Sequence, residues 1–341
     1  MNNNKQVQIS VILPVYNGEV FLEETIQSIL KQSHKIHEII IIDDGSTDLS
    51  YSIIQKYTRD VIVLRQKNSG QSAARNYGVS CATGNFLAFI DQDDIWYDDH
   101  LQILVNHIES TSQRPIGWIY SNLDQIDHMG NMIYFDVFRK IPHVAHPKKS
   151  LLDCIRTDMF ILPSSALVSR AAFDHVGGFD ERLIGCEDDD LFLRIFISGF
   201  HNIYVPISTL KWRIHSNSSS HSTSMGKSRL IYVEKLVDLF KDQSIDDYNI
   251  TKDIIGPRFN HLFVYDYFRG LENKNRSVMK ISLERLNYIS SITGNWTYYK
   301  LPSVRLLMSN IYLMNIMIYI YRLGKKSVFY RVLKKIYKKI T

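Results

Sequence analysis

The amino-acid sequence predicts an α/β fold with a largely parallel sheet, followed by a helical extension. In the first hundred residues, short apolar runs rich in β-branched residues alternate with segments of helical periodicity. Such alternation produces right-handed βαβ units and a parallel sheet. Each run is apolar at successive positions, which is typical of a strand covered on both faces. The predicted strands are 8–14, 38–44, 61–66 and 85–91.

The segments between these strands place apolar residues on one helical face each. The three faces consist of Leu22, Ile26, Ile29 and Leu30, then Leu49, Ile53, Ile54 and Tyr57, then Ala74, Tyr77, Gly78 and Cys81.

Beyond residue 117 the strand patterns become shorter and mixed, and beyond residue 225 the pattern is helical and amphipathic. We therefore expect two domains, 1–225 and 226–341. The later strands are predicted at 117–123, 131–138, 164–170 and 202–215, with a helix over 187–196.

Composition indicates a folded protein. Of the 341 residues, 45% are hydrophobic and 22% charged, which predicts a buried core and little disorder. The three cysteines lie far apart without CxxC spacing. This argues against a disulfide scaffold and a structural zinc site, and suits a reducing compartment.

The formal net charge of +5 is concentrated at the C-terminus. Residues 322–341 contain eight Lys or Arg and no acid, so the rest of the chain carries −3, the difference between +5 and +8. A nucleic-acid-binding core is therefore not indicated. The N-terminus lacks the pattern of a signal peptide, because its apolar stretch covers only Val11 to Val15. We expect a cytoplasmic location.

Polar, turn-forming residues follow three of the predicted strands. The first strand ends in PVYNG (14–18), the second in DDGSTD (43–48) and the fourth in DQDD (91–94). Ligands of open α/β sheets bind beyond the carboxyl ends of the strands, where these three segments meet. This edge is the expected place for a nucleotide.

The aspartates after the fourth strand divide into two groups. Asp91 and Asp93 are two residues apart at a strand end, where both side chains would point to the same side and could share one cation. Mg²⁺ or Mn²⁺ fits, since such ions use a few carboxylates together with phosphate and water oxygens. A solvated loop is the alternative. Asp98 and Asp99 are expected to cap the following helix, and Asp94 is left unassigned.

Six segments in this order resemble the family 2 inverting glycosyltransferases of the GT-A type, over residues 7–220. They read SVILPVYNG, IIIIDDGSTD, NSGQSAARNYGV, FIDQDD, GGFDERLIGCEDDDLFLR and WRIHSNSSS. The resemblance implies a Rossmann-like GT-A domain that moves a sugar from a nucleotide sugar with the help of a divalent metal ion.

The resemblance also implies roles for residues of the first two segments. Pro14, Tyr16 and Asn17 would line the nucleotide base, although Asn17-Gly18 is equally typical of a turn before a helix. Asp44 would accept a hydrogen bond from uracil N3–H. The alternative for this segment is that Asp43, Ser46 or Thr47 caps the following helix.

Arg75 would meet the base or the diphosphate; the alternative is a surface arginine paired with the aspartates at the sheet edge. Asp91 would contact the donor as well as the metal. Near the end of the domain, Arg213 could neutralise the diphosphate. His215 resembles a residue that approaches the metal or diphosphate, which adds it to the metal set of Asp91 and Asp93.

In the resemblance, Asp188 falls at the position of the family's catalytic base. A nucleoside diphosphate is already a good leaving group, so a single carboxylate base suffices for the transfer. Glu187 would lie on the acceptor side, and Asp190 would orient the acceptor or pair with Arg194. The alternative is that the four consecutive acids only begin a helix.

The C-terminus suggests contact with a membrane. The uncharged stretch 306–321 is too short for a confident span, which needs about 20 residues. Residues 325–340 place apolar side chains on one helical face and lysines away from it, as in an interfacial helix attracted to anionic lipid. The alternatives are a helix packed on the catalytic domain and a dimer interface.

Together these features predict a metal-dependent glycosyltransferase with a nucleotide-sugar donor, UDP-linked, and a glycan or lipid-linked acceptor in polysaccharide or glycoconjugate synthesis. It would be cytoplasmic and peripheral at the inner face of the membrane, with no nucleic-acid partner. Two other classes stay open. One is a sugar-nucleotide nucleotidyltransferase, and the other is a non-catalytic glycan- or nucleotide-sugar-binding subunit of a synthase complex.

Overall fold

A computed structural model describes residues 6–215 and 224–293, and the chain divides into two compact units, Met1–Ser222 and Thr223–Thr341. The predictions for 306–341 lie outside the described residues. In the part of the chain that is described, no helix is long and apolar enough to cross a membrane.

The first unit is built on a mixed sheet, to which nine strands of the described chain contribute, and the α/β prediction is confirmed. The strands are β1 (Ile9–Val15), β2 (Glu38–Asp43), β3 (Ile62–Arg65), β4 (Phe86–Phe89), β5 (Ile95–Trp96), β6 (Ile116–Ile126), β7 (Met132–Tyr134), β8 (Ala166–Ser169) and β9 (His201–Arg213). Their order is β3-β2-β1-β4-β8-β6-β9-β5, with β7 paired to β6. Strands β1 to β4 are mutually parallel, β6 is parallel to β9, and β5, β7 and β8 are antiparallel to their neighbours.

Helices connect these strands and cover the apolar sheet. They are α1 (Leu22–Leu30), α2 (Ser50–Gln55), α3 (Gln71–Cys81), α4 (His100–Ser110), α5 (Leu151–Ile155), α6 (Arg170–His175) and α7 (Glu187–Ile197). Strands β1 and β2 are almost wholly buried, as expected for strands covered on both faces.

Helix α3 approaches the sheet closely at Gly78. A Cβ atom at this position would lie 2.6 Å from Ile42 Cδ1 and 2.8 Å from Ile12 Cγ2. These distances are shorter than packed side chains allow. The small residue therefore brings α3 close to β1 and β2, and with it Arg75 to the edge where those strands end.

The predicted helical faces are correct at their centres and wrong at their margins. Leu22, Ile26, Ile29, Ile54 and Ala74 are buried. Four other residues of the predicted apolar faces are exposed: Leu30, Leu49, Tyr77 and Cys81. A helix resting on a twisted sheet buries a narrower stripe than the apolar periodicity indicates.

The expected strand over 131–138 is also shorter than predicted. β7 ends at Tyr134, and Val137–Lys140 form a 3-10 turn.

The second unit is mainly helical where it is described. It comprises α8 (Ser224–Leu239), the short strands β10 (Ser244–Ile245) and β11 (Tyr248–Asn249), a π-helical turn at Ile250–Ile255, α9 (Gly256–Glu272) and α10 (Arg276–Thr293). Helices α9 and α10 contribute buried residues such as Phe259, Phe263 and Leu286 to its core.

Candidate functional site

The loops after β1, β2 and β4 are tied to one another by hydrogen bonds. The side chain of Gln92 accepts from Tyr16 N at 2.8 Å and donates to Tyr16 O at 3.0 Å. Asn17, with a left-handed φ of 49°, accepts from Thr47 N at 2.8 Å through Oδ1 and donates through its backbone N to Ser46 Oγ at 3.1 Å. Asn17 is thus a turn residue that fixes the β1 loop against the β2 loop.

The residues predicted to line a base differ in accessibility. Pro14 is buried within β1, whereas Tyr16 is 45% exposed and Asn17 is exposed. Pro14 lies beyond Ile12, the last β1 residue paired with β4, so its missing N–H costs no hydrogen bond to β4. Direct contact with a base is therefore open to Tyr16 and Asn17, and Pro14 shapes the strand that presents them.

Asp44 is 2% exposed and holds the loop that leads into α3. Its Oδ1 accepts from Gln66 Nε2 at 2.7 Å and Ser69 N at 2.9 Å, and its Oδ2 accepts from Gly70 N at 2.9 Å. These contacts occupy most of the lone pairs of the carboxylate. Contact between Asp44 and a uracil ring stays a prediction.

The predicted caps of α2 are wrong, whereas the predicted N-cap of α4 is correct in position only. At α2 the N-cap position is Leu49, and Ser50 N donates to Asp48 Oδ1 at 2.9 Å. Asp43 binds Ser46 N within its own turn instead. At α4, Asp99 occupies the N-cap position but its side chain makes no capping hydrogen bond.

Arg75 joins two acidic segments that are far apart in the sequence. Its guanidinium, 1% exposed, donates from Nη2 to Asp91 Oδ1 at 2.6 Å and from Nη1 to Glu187 Oε1 at 2.9 Å. Burial alone would lower the pKa of Arg75, but the charges of Asp91 and Glu187 raise it above its usual value. Arg75 is therefore a buried link between the β4 edge and the start of α7. The alternative is correct in pairing Arg75 with an aspartate of the sheet edge and wrong in placing it at the surface.

Asp91 and Asp93 lie in a turn and not in an extended strand. β4 ends at Phe89, and Asp94 N donates to Asp91 O at 3.1 Å. The strand geometry expected for the two carboxylates is therefore wrong, although the two still interact. Burial and the charge of Asp91 raise the pKa of Asp93, while a hydrogen bond from His215 Nε2 to Asp93 Oδ2 at 2.8 Å opposes this shift.

These residues fit a divalent cation in part. Within the described residues, both side-chain donors to Asp91, from Arg75 and from Gln71 Nε2, bind Oδ1, so Oδ2 keeps its lone pairs. No group of three His, Cys, Asp or Glu in residues 6–215 and 224–293 is arranged to hold a metal ion. The predicted trio with His215 is therefore not formed as a three-ligand set. Two mutually repelling carboxylates fit an ion that takes its other ligands from phosphate and water.

Arg213 is placed differently from the expectation. Its side chain is 2% exposed and donates to Asp93 O at 2.9 Å and to Glu24 Oε2 at 2.5 Å, while its backbone N donates to Asp94 Oδ1. Its Nη1 also reaches the carbonyls of the 127–128 turn. Because these contacts occupy the guanidinium donors, Arg213 fixes the turn that carries the aspartates. Contact between Arg213 and a diphosphate stays a prediction.

The four acids at the start of α7 have different surroundings. Glu187 pairs with Arg75, Asp189 Oδ1 accepts from Met159 N at 3.0 Å, and Asp190 pairs with Arg194 at 2.7 Å. Of the two roles predicted for Asp190, the structure shows the ion pair with Arg194.

Asp188 stands apart from its neighbours. It accepts from Asp189 N at 2.8 Å and pairs with no basic side chain in the described part of the chain. Burial, followed by the charges of Glu187, Asp189 and Asp158, raises the pKa of Asp188 well above its ordinary value. An acid in such surroundings accepts a proton more readily than a solvated one, as a general base does.

Sequence reasoning missed several residues that build this edge. Ser164 Oγ accepts from Asp91 N at 3.1 Å, Gln71 binds Asp91, Gln92 binds Tyr16, and Glu24 pairs with Arg213. Gln71 and Gln92 lie inside segments that the resemblance covers and could have been proposed from that position. Ser164 and Glu24 carry no local signal.

Comparison with known proteins identifies relatives of this chain. Residues 10–177 match the model of Glycosyl transferase family 2. The glycosyltransferase GlyA of Streptococcus pneumoniae is 28% identical over 269 residues, which is 76% of this chain and 36% of GlyA. The putative teichuronic acid biosynthesis glycosyltransferase TuaG of Bacillus subtilis is 43% identical over 98 residues, 28% of this chain and 39% of TuaG. The chain thus spans only about a third of the length of relatives such as GlyA.

Solved structures share the fold. S. aureus TarS 1–349, solved in complex with UDP-GlcNAc, has a TM-score of 0.65 at 17% identity over 93% of this chain and 92% of TarS 1–349. The mannosyltransferase PcManGT of Pyrobaculum calidifontis, solved with GDP-Man and Mn²⁺, has a TM-score of 0.53 at 16% identity over 95% of this chain and 89% of its own. The predicted GT-A fold is confirmed.

Proposed function

Because residues 10–177 match Glycosyl transferase family 2, we propose that the chain is a glycosyltransferase of this family, which moves a sugar from a nucleotide sugar to an acceptor hydroxyl with inversion of the anomeric centre. The donor is UDP-linked, and the acceptor is a glycan or a lipid-linked glycan.

One observation carries this proposal: the Arg75 guanidinium contacts both Asp91 and Glu187. Through this single side chain, the edge where β1, β2 and β4 end is held beside the start of α7. A donor bound at that edge would have its sugar close to Asp188, the residue that follows Glu187. The chemistry needs this proximity between donor and base.

In the proposed reaction, Asp188 takes the proton of the acceptor hydroxyl as its oxygen attacks the anomeric carbon. The bond from that carbon to the diphosphate oxygen breaks, and the nucleoside diphosphate leaves with the bonding electrons. Attack from the face opposite the leaving group inverts the anomeric centre. Glu187, held by Arg75, keeps the start of α7 in place for this step.

The donor subsite is formed in this proposal by Tyr16 and Asn17 for the base, with Asp44 and Arg213 fixing the loops around it. A divalent ion at Asp91 and Asp93, when bound, would neutralise charge on the leaving diphosphate. Mn²⁺ or Mg²⁺ suits this set of oxygen donors, and His215 would hold Asp93 through its 2.8 Å hydrogen bond. The solved complexes of TarS with UDP-GlcNAc and of PcManGT with Mn²⁺ support a UDP-linked donor and a metal.

The acceptor class is proposed from other features. The likeness to TuaG, named as a teichuronic acid biosynthesis enzyme, favours a cell-envelope polysaccharide. The basic C-terminal segment favours an acceptor at a membrane surface, which would make the enzyme peripheral at the inner face. We also propose that its catalytic domain comprises residues 1–225 and that 226–341 form the extension.

The direct test incubates the full chain and Mn²⁺ with a panel of UDP-, GDP- and dTDP-sugars, and identifies the products by mass spectrometry. We expect release of UDP from one class of UDP-sugar, and a marked loss of turnover when a chelator removes the metal. In a parallel incubation with nucleoside triphosphates and sugar 1-phosphates, release of pyrophosphate would instead indicate a nucleotidyltransferase. Tight donor binding without turnover, unaffected by Asp188→Asn, would indicate a non-catalytic binding subunit.

A further inference from the structure

A cavity of about 630 Å³ lies in the first unit, beside β6, β9 and the loop 136–149. Its volume falls within the roughly 300–1,000 Å³ of small-ligand sites. None of the residues assigned above to the donor or to the catalytic base lines this cavity.

One wall of the cavity is aromatic and uncharged. The rings of Phe138 and His146 are stacked, with centroids 3.9 Å apart and planes 8° apart, and Tyr204 lies 5.7 Å from Phe138. Burial and the charge of Lys148 lower the pKa of His146 to about 3, so its imidazole is neutral at physiological pH. Phe138 is buried, whereas His146 and Tyr204 are partly exposed. Partly exposed aromatic rings of this kind pack against the C–H bonds of a pyranose ring.

The lining of the cavity also includes charged groups of both signs. Asp136 and Asp153 balance Arg139 and Lys149, so net charge selects neither an anion nor a cation. The Arg139 side chain is 83% exposed and touches Asp136 at 3.4 Å, which leaves most of its donors to solvent. Carboxylate and guanidinium groups side by side match the vicinal hydroxyls of a sugar, which both donate and accept.

The rim of the cavity is held in a defined conformation. Asp136 has a left-handed φ of 52°, which costs a non-glycine residue on the order of 1–2 kcal/mol. Its backbone N donates to Asp124 Oδ1 at 2.9 Å, and its Oδ1 accepts from Asn122 Nδ2. The carboxylate is thus pre-positioned, as binding sites require.

A short helix connects this cavity with the proposed catalytic base. Asp153 lines the cavity and belongs to α5, which Ser150 caps. The segment after α5 is fastened to α7 by the 3.0 Å hydrogen bond from Met159 N to Asp189 Oδ1. Asp189 directly follows Asp188, so this hydrogen bond connects the segment after α5 to the helix that carries the proposed base.

From these contacts we infer that the cavity is a subsite for a neutral sugar unit of the acceptor, remote from the hydroxyl that reacts. The inference rests on the proposed transfer to a glycan. It assigns residues 136–149 to recognition of the acceptor chain.

Methyl NMR of the full chain tests this assignment. Glucose, galactose, N-acetylglucosamine and N-acetylgalactosamine are titrated as free sugars, and inorganic phosphate is titrated as a separate probe. We expect at least one sugar to shift the methyl signals of Val144 and Ala145 but not that of Ala171. Ala145→Trp, which fills the cavity from an exposed position, should weaken binding by roughly tenfold or more. Ala171→Trp, at an exposed alanine of α6, is the matched control and should bind as the wild type does.

The subsite is overturned if none of the four sugars shifts the Val144 and Ala145 signals, if phosphate alone shifts them, or if Ala145→Trp binds sugar as well as Ala171→Trp does. UDP release from the donor in wild type and in Asp188→Asn is measured separately. Intact donor turnover without sugar binding refutes the subsite alone, whereas absent donor turnover refutes the proposed function.

Discussion

At the scale of single residues, the surroundings of Asp188 distinguish it from the acids next to it. Glu187 and Asp190 have arginine partners, and Asp189 accepts from a backbone N–H. Asp188 has no basic partner in residues 6–215 and 224–293. A carboxylate that no cation neutralises retains the basicity that proton abstraction needs.

The first prediction concerns the loss of this base. Asp188→Asn should lower kcat roughly 100- to 10,000-fold, because general base catalysis contributes about that much. KM for the nucleotide sugar should change little, since the side chain would act on the acceptor. Initial rates of UDP release, measured in the presence of acceptor at varied donor concentration, give both constants. Asp60→Asn, which removes one charge at an exposed position, is the control, and turnover by Asp188→Asn equal to this control would exclude Asp188 as the base.

The second prediction concerns pH. Because burial and neighbouring acids raise the pKa of Asp188, the charged base is lost as pH falls through that raised pKa. The rate should therefore decline on the acidic side at a higher pH than for an ordinary aspartate. Asp158→Asn removes one of the charges that raise this pKa, and its amide oxygen can still accept from Phe160 N.

We expect the acidic limb of kcat/KM to move to lower pH in Asp158→Asn. Asp174→Asn, an exposed acid of α6, should leave the limb in place. A limb that stays unmoved in Asp158→Asn would show that another group controls the titration.

At the scale of elements, α3 positions the residue that joins the two acidic segments. The third prediction is that Arg75→Met lowers the free energy of unfolding by about 3–5 kcal/mol, because it leaves Asp91 and Glu187 without their buried counter-charge. Urea titration measures the change. Arg182→Met removes an exposed ion pair with Asp180 and should cost at most about 1 kcal/mol. Equal losses in the two variants would contradict a buried structural link.

The fourth prediction concerns how close α3 lies to the sheet. Gly78→Ala adds a methyl group against Ile42 and Ile12 and should destabilise the protein by about 1–3 kcal/mol through overpacking. Ser80→Ala, on the exposed face of the same helix, should stay within about 0.5 kcal/mol of the wild type. Thermal unfolding of both variants provides the comparison, and a stabilised Gly78→Ala would mean that the packing accommodates the methyl group.

At the scale of the whole molecule, the basic residues of 322–341 predict attachment to an anionic membrane surface. The fifth prediction is that the full chain binds vesicles of phosphatidylglycerol but not of phosphatidylcholine, and that 0.5 M NaCl, on the order needed to screen surface charge, releases it. Changing Lys334, Lys335, Lys338 and Lys339 to Glu should abolish binding, since each basic residue contributes about 1 kcal/mol. Co-sedimentation measures the bound fraction. Undiminished binding by the Glu variant would refute an electrostatic anchor.

The pairing of strands in the sheet of the first unit also depends on the whole fold. Apolar alternation in the first hundred residues predicted the βαβ order because covered parallel strands impose it. The antiparallel strands β8 and β5 could not be placed in the sheet from their sequence, since strand pairing depends on long-range contacts that no local pattern encodes.

The sequence by itself determined the α/β class, the positions of the first four strands along the chain and the set of acidic segments, because local periodicity and turn chemistry follow directly from residue type. Only the tertiary structure decided that Arg75 is buried between Asp91 and Glu187, and that Arg213 is committed to the turn bearing the aspartates. Asp91 and Glu187 are about a hundred residues apart, and their meeting depends on how α3 and α7 pack beside the sheet. Charge partners of this kind result from the fold, so a sequence pattern can identify the acids but not which of them stays without a counter-charge.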